Sequence, residues 1–138
     1  MAFQTLNSPN AVSTSDSQLS LTTSYQVDGS NNDVQISLVF GPVGVAATSQ
    51  IKLDDNVLAA AQVGSVNNFS IGANQAISGK FLTIYSIVTV TNATPVPANL
   101  TVDFSINGGV NSYSHSLSYT ENNAGGSALF LIDIFLYS

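Results

Sequence analysis

The chain has 138 residues, which suits one domain with a full hydrophobic core, and it contains no cysteine. Disulfides, thiolate metal sites and cysteine nucleophiles are therefore excluded. Only 7% of the residues are charged, the net charge is −6, and the cations are Lys52 and Lys80. Since phosphate binding needs several Lys or Arg side chains, we expect no nucleic-acid partner. No apolar run reaches the roughly 18 residues of a transmembrane helix, so we expect no membrane insertion either.

The first 17 residues are polar and rich in turn-forming types, which predicts a flexible N-terminal arm or a short strand at Phe3 to Leu6. Such an arm can add a strand to the sheet edge of a neighbouring subunit. Met1 to Asn10 lacks the basic and apolar regions of a secretory signal peptide. Residues 18–138 are expected to form a single β-sandwich domain, and their weakly charged polar surface favours an extracellular or particle-associated location.

Regular alternation of apolar and polar residues predicts the first two strands, at Leu19 to Val27 and Val34 to Phe40. The turn-forming residues Asp28 to Asp33 separate them, so the pattern indicates a hairpin with a long loop. The segments that follow are less regular. Val57 to Val63 contains three alanines, which favour one or two helical turns, and a short edge strand is the alternative.

Phe81 to Asn92 carries the clearest strand signal in the chain. It consists mainly of Val, Ile, Thr, Tyr and Phe, which fit a pleated sheet better than a helix. Both of its faces carry apolar side chains, which predicts a strand deep within a sheet. Ala128 to Tyr137 is similar but is interrupted by Asp133. The most economical interpretation of Asp133 is a charge that discourages wrong pairing at a sheet edge.

The remaining strands are predicted near the C-terminal end. Leu100 to Ile106 alternates regularly, and Asn107 to Gly109 has the composition of a two-residue hairpin turn. Val110 to Thr120 then returns with aromatic residues on one face and serines on the other. In all, seven or eight short strands and at most one short helix predict an all-β fold, an antiparallel β-sandwich of jelly-roll or immunoglobulin-like type.

The loop at Asp28 to Asp33 offers oxygen ligands at alternate positions, as calcium-binding loops do. Its candidate ligands are Asp28, Ser30, Asn32 and Asp33, helped by Asp54 and Asp55 if the fold brings them near. Ordinary turn chemistry explains the same residues without a metal. Apart from calcium at this loop, we expect no cofactor.

One face of the predicted strand at Val110 to Thr120 carries three ring side chains, Tyr113, His115 and Tyr119. They are the candidate platform on which a sugar ring stacks, with Asn111 or Asp103 as hydrogen-bonding partners. Core packing explains the same spacing. His115 is the only histidine and no G-x-S-x-G motif occurs, so we predict no catalytic residue.

Glycoside hydrolysis by paired carboxylates would require Asp103 and Asp133 to face one cleft.

We expect a non-enzymatic β-sandwich subunit that associates with itself, as part of a particle, fibre or surface appendage. Three features favour this function: two strands that are apolar on both faces, a surface with little charge, and a polar N-terminal arm. A carbohydrate-binding module, assisted by calcium, is the alternative.

Overall fold

The computed structural model describes residues 18–138, which form two facing β-sheets and one short helix. The N-terminal arm and the strand predicted at Phe3 to Leu6 lie outside the described residues. The strands are β1 (Gln18–Gln26), β2 (Asp33–Gly41), β3 (Ala46–Leu53), β4 (Asn56–Val63), β5 (Val66–Ala73), β6 (Phe81–Thr89), β7 (Ala98–Asn107), β8 (Tyr113–Glu121) and β9 (Ser127–Tyr137), and the helix α1 is Asn74–Ile77.

The two sheets form a sandwich, which confirms the predicted fold class. The five-stranded sheet has the order β1-β9-β6-β3-β4, and the four-stranded sheet has the order β5-β2-β7-β8. Neighbouring strands are antiparallel except at one edge, where β1 runs parallel to β9. Nine strands are present in residues 18–138, against the seven or eight predicted, because the segment assigned to helical turns is also a strand.

Strand β6 lies at the centre of the five-stranded sheet, between β9 and β3. Its inward side chains, among them Leu82, Ile84 and Val88, are fully buried against the opposite sheet. The prediction of a strand deep within a sheet is therefore confirmed. Within residues 18–138 only its inner side is covered by a second layer, and Phe81, Tyr85 and Ile87 on its outward side are exposed.

Strand β4 corrects the helical assignment of Val57 to Val63. The segment is an edge strand that pairs with β3, with Thr48 opposite Val63 and Lys52 opposite Val57. Alanine favours a helix only weakly, and tertiary pairing with a neighbouring strand outweighs that preference. The alternative of an edge strand was the correct one, and the helix lies instead at α1.

One predicted hairpin is not formed, and the other has a longer loop than predicted. β1 and β2 belong to opposite sheets, so Asp28 to Asp33 crosses between sheets and closes no hairpin. β7 and β8 do pair as the predicted antiparallel hairpin, but their connection is longer than two residues, since Ile106 pairs with Tyr113. Its backbone bonds to the end of β1 instead: the Val110 amide donates to the Gln26 carbonyl at 3.0 Å. Loop residues engaged in this way are not free to form a tight turn.

A pair of serine side chains lies in the core between the sheets. Ser49 on β3 and Ser86 on β6 are opposite each other in register, and both side chains point inward and are buried. Their hydroxyl oxygens lie 2.8 Å apart and form a hydrogen bond. Each hydroxyl thereby satisfies the other in an otherwise apolar environment.

Candidate functional site

The outward side of the five-stranded sheet is the most distinctive surface of the molecule, and we call it the outer face. Alternation along each strand places every second side chain on this side. Its principal residues on β3, β4, β6 and β9 are Thr48, Gln50, Lys52, Val57, Val63, Phe81, Thr83, Tyr85, Ile87, Leu129, Leu131, Asp133, Phe135 and Tyr137.

Large apolar side chains are exposed along the middle of the outer face. Phe81, Tyr85 and Ile87, all on the central strand, are 54%, 42% and 43% exposed. Phe81 also contacts Phe135 of β9, with ring centroids 5.0 Å apart. A contiguous apolar surface of this kind is typical of a site of protein contact.

The outer face is not uniform from side to side. On β9, the half-buried side chains of Leu129 and Leu131 stand beside Ile87 and Tyr85 of β6. On β3, the same levels are occupied by Thr48 and Gln50. A shallow groove of about 220 Å³ lies on the β3 side, lined by Thr48, Ser49, Gln50, Ala60, Tyr85 and Ile87. One half of the face is therefore bulky and the other is hollow.

One row of residues across the outer face carries its charges. Lys52 of β3, Thr83 of β6 and Asp133 of β9 are neighbours in register. The Thr83 hydroxyl donates a hydrogen bond to the Asp133 carboxylate at 2.9 Å. Among residues 18–138 the only ion pair joins Lys80 and Asp54, at 3.7 Å, so Lys52 has no acidic partner in the described part of the chain.

Asp133 does not protect a sheet edge, contrary to the sequence-based interpretation. Strand β9 lies between β1 and β6, so neither side of its backbone is open. Asp133 and Asp103 also lie on opposite outer surfaces of the sandwich, because each points outward from a different sheet. The two carboxylates therefore do not face one cleft, and the paired geometry of a glycosidase is not formed.

The predicted sugar platform is only partly assembled. Tyr113 and His115 are stacked, with ring centroids 6.3 Å apart and planes 2° apart. Tyr119 is six residues from Tyr113 along the same strand, which separates their Cα atoms by about 20 Å. Both tyrosines pack against the core, and the buried His115 Nε2 has no hydrogen-bond partner within residues 18–138. These contacts resemble core packing more than an open platform.

A second hollow, of about 200 Å³, lies where β1 and β9 end. It is lined by Ser24, Tyr25, Gln26, Asn111, Ser112, Tyr113 and Tyr137. The Tyr25 hydroxyl accepts a hydrogen bond from the Gly109 amide at 2.8 Å and donates one to the Asn111 carbonyl. Burial raises the pKa of Tyr25 and outweighs the hydrogen bond from Gly109. Tyr113 and Asn111 are the residues of the predicted glycan site that this hollow brings together.

The candidate calcium loop uses its oxygens in turn hydrogen bonds. The Asp28 carboxylate accepts the Ser30 amide at 2.9 Å, and the Ser30 hydroxyl oxygen accepts the Asn32 amide at 3.2 Å. Hydrogen bonds from the Ser30 hydroxyl and amide lower the pKa of Asp28. The Asp33 carboxylate accepts the Ser70 hydroxyl at 2.8 Å.

The predicted helpers of that loop are not gathered around it. Asp54 accepts the Phe81 amide at 2.8 Å in the turn between β3 and β4. Within the described residues no group of three or more His, Cys, Asp or Glu side chains is placed to hold a metal ion, so Asp54 and Asp55 do not complete a cluster with Asp28 and Asp33.

Asn74, the first residue of α1, is an organising residue that the sequence did not reveal. Its side chain is fully buried. It accepts the Asp28 amide at 2.9 Å and donates to the carbonyl oxygens of Asn32 and Gly108, both at 2.8 Å. One amide side chain thereby joins three segments at one end of the sandwich. Asn is abundant in this chain, so no local pattern distinguishes Asn74 from its exposed counterparts.

Residues 18–138 contain no helix that is long and apolar enough to cross a membrane. Comparison with protein-family models, with curated proteins and with solved structures found no match for this chain.

Proposed function

We propose that the protein is a non-enzymatic structural subunit that associates with itself through the outer face. The observation that carries this function is the exposed apolar row of Phe81, Tyr85 and Ile87 on the central strand of a sheet with no covering layer within residues 18–138. When a partner removes apolar side chains in this position from water, the free energy falls, which favours association.

The size of the outer face matches a stable interface. Five strands spaced by about 4.8 Å, each some nine residues long, cover roughly 600–700 Å². Two such faces in contact bury about 1,300 Å², within the range of specific protein interfaces.

The distribution of charge also favours self-association. The chain has a net charge of −6, but the outer face as defined above contains one cation, Lys52, and one anion, Asp133. The other acidic residues of the described part, residues 18–138, lie elsewhere, so two outer faces meet without direct repulsion between excess charges.

Strand β4 offers a second route for assembly into a longer structure. It is an edge strand of eight residues, Asn56 to Val63, and it contains neither charge nor proline. Edges of soluble sheets usually carry such features because they prevent pairing with other chains. An uncharged edge beside an apolar face suits a subunit of a particle or fibre.

The test is the mass of the full chain measured by light scattering and sedimentation from low to high micromolar concentration. We expect the wild type to exceed the mass of one chain, and Tyr85→Lys and Ile87→Lys to weaken association about tenfold or more, because a lysine in an apolar contact loses its hydration. A wild type that remains a single chain at high micromolar concentration contradicts the proposal.

The matched control is Ser114→Lys. Ser114 is exposed on the outward side of the four-stranded sheet, so this variant adds the same charge away from the outer face. Association of Ser114→Lys should equal that of the wild type. Equal weakening by Ser114→Lys would show that net charge, not the outer face, controls association.

Glycan binding is a second candidate, and the hollow formed by Tyr25, Tyr113 and Tyr137 with Asn111 favours it. Aromatic rings beside hydrogen-bonding groups are the usual composition of a small-ligand site. A broad glycan array should show binding that Tyr113→Ala abolishes and Tyr119→Ala preserves, since Tyr119 lies outside the hollow. An array with no binding removes this candidate, and unchanged binding in the presence of a chelator removes a role for calcium.

A further inference from the structure

We propose that two copies pair through their outer faces across a two-fold axis parallel to β6, so that Lys52 of each copy meets Asp133 of the other. The proposal rests on the proposed function, because it takes the outer face as the contact surface. It adds the symmetry of the pair and the residues that determine it.

The charged row is arranged symmetrically about β6. Lys52 and Asp133 are the flanking neighbours of Thr83, one strand to either side. With strands about 4.8 Å apart, the two charged residues are separated by about 10 Å and each lies about 5 Å from the line of β6. A rotation of 180° about an axis parallel to β6 exchanges the two sides of the sheet and keeps each residue at its level along the strand.

This symmetry makes the charges complementary. The rotation places β3 of the second copy over β9 of the first, so each Lys52 ammonium lies opposite the Asp133 carboxylate of the other copy. A two-fold axis across the strands would leave β3 over β3: at the level of the charged row it would oppose Lys52 to Lys52, and at any other level it would leave both charges without a partner of opposite sign. Like charges held opposite each other in an interface are strongly unfavourable, so the charged row selects the axis parallel to β6.

The shape of the outer face selects the same axis independently. The bulky side chains Leu129 and Leu131 lie on β9, at the levels of Ile87 and Tyr85. The groove lies on β3 at those levels, beside Thr48 and Gln50. Rotation about an axis parallel to β6 therefore sets each pair of leucines over the groove of the other copy, while the crosswise axis would set bulk against bulk.

The resulting contact follows the usual geometry of stacked sheets. Strands of the two copies run in nearly the same direction, which is the aligned arrangement with an offset of about 30°. The side chains of β6 meet their own equivalents along the axis, as in any self-complementary two-fold contact. Tyr85 and Ile87 then lie at its centre, where truncation or charge has the largest effect.

Charge exchange tests the axis. In Lys52→Asp, an introduced carboxylate faces Asp133 of the other copy at two places, and in Asp133→Lys, an introduced ammonium faces Lys52 at two places. We expect each variant alone to weaken pairing about tenfold or more, as measured by sedimentation equilibrium. The double variant Lys52→Asp, Asp133→Lys restores opposite charges at both places and should recover pairing to within about threefold of the wild type.

Mixing the two single charge variants is the most specific test of the axis. Equimolar Lys52→Asp and Asp133→Lys, each with a different fluorophore, should form a mixed pair that neither forms alone, detected by energy transfer. Asp103→Lys is the matched control, because Asp103 is also an outward carboxylate that accepts a hydroxyl from a neighbouring strand, that of Ser116, but on the other sheet. We expect it to pair as the wild type does.

The possible results distinguish the proposed axis from the proposed self-association through the outer face. If Tyr85→Lys abolishes association while the charge variants pair normally, or if Lys52→Asp pairs preferentially with wild type, the axis is wrong and the outer face remains the contact surface. If the wild type does not associate at all, both proposals fail. Thermal melting of each single variant establishes that a lost interaction is not a lost fold.

Discussion

Replacing Asn74 with alanine removes three hydrogen bonds that join three segments at one end of the sandwich. The Asp28 amide loses its acceptor, and the carbonyl oxygens of Asn32 and Gly108 lose a donor. A hydrogen bond replaced by water costs about 1 kcal/mol, and a buried group left unsatisfied costs about 1–3 kcal/mol. Because the cluster is partly buried, we expect a total loss of about 3 kcal/mol in the free energy of unfolding, equivalent to about 10 °C in melting temperature.

Urea unfolding of the Asn74→Ala variant measures this loss. The experiment is best done in the Tyr85→Lys background, since association of the folded state would add to apparent stability. The control is Asn122→Ala, because Asn122 is exposed in the loop before β9 and its replacement should cost less than about 0.5 kcal/mol.

Asn74→Asp separates hydrogen bonding from shape. Aspartate keeps the acceptor for the Asp28 amide but loses both donors, and its carboxylate then faces two carbonyl oxygens. We expect a loss at neutral pH at least as large as that of alanine. If alanine at position 74 lowers stability no more than Asn122→Ala does, Asn74 does not hold these segments together.

Two further predictions concern buried hydroxyls. Ser49→Ala and Ser86→Ala should each lower the free energy of unfolding by about 1–2 kcal/mol. The double variant should lose clearly less than the sum, because the second change removes the hydroxyl that the first left without its partner. Additive losses in urea unfolding would contradict the pairing. For Tyr25, whose pKa is raised in the folded state, the fold favours the protonated phenol. Its stabilisation is therefore complete below about pH 10 and is lost as the pH rises through the folded-state value. The stability advantage of wild type over Tyr25→Phe should shrink above about pH 10, and a constant advantage up to higher pH would refute this linkage.

The strands that form this sandwich could largely be predicted from periodicity. Phe81 to Thr89 is recognisable as a strand because it consists mainly of β-branched and aromatic residues, which suit a pleated surface. The β4 segment could not be assigned in the same way, since alanines fit a helix and a flat edge strand about equally. Its pairing with β3 decides between them, and that contact is not encoded locally.

The candidate site was predictable in kind but not in place. Two strands with surplus apolar residues predict an exposed apolar surface, but which of their sides is covered depends on the position of the second sheet. The relation of Lys52 to Asp133 was beyond local reasoning, because the two residues are 81 positions apart and become near neighbours only through the register of β3, β6 and β9. The same holds for Asn74, whose partners come from three separate segments.

The parallel pairing of β1 with β9 has a practical consequence for labelling and fusion. Gln18 lies beside Leu129 and Gln26 beside Tyr137, so the two strands enter at one pole of the sandwich and leave at the other, about 27–30 Å away. Labels attached at Gln18 and at Tyr137 would therefore lie at opposite poles. A pair of copies related by an axis along the strands would be polar, with both Gln18 residues at one pole and both Tyr137 residues at the other.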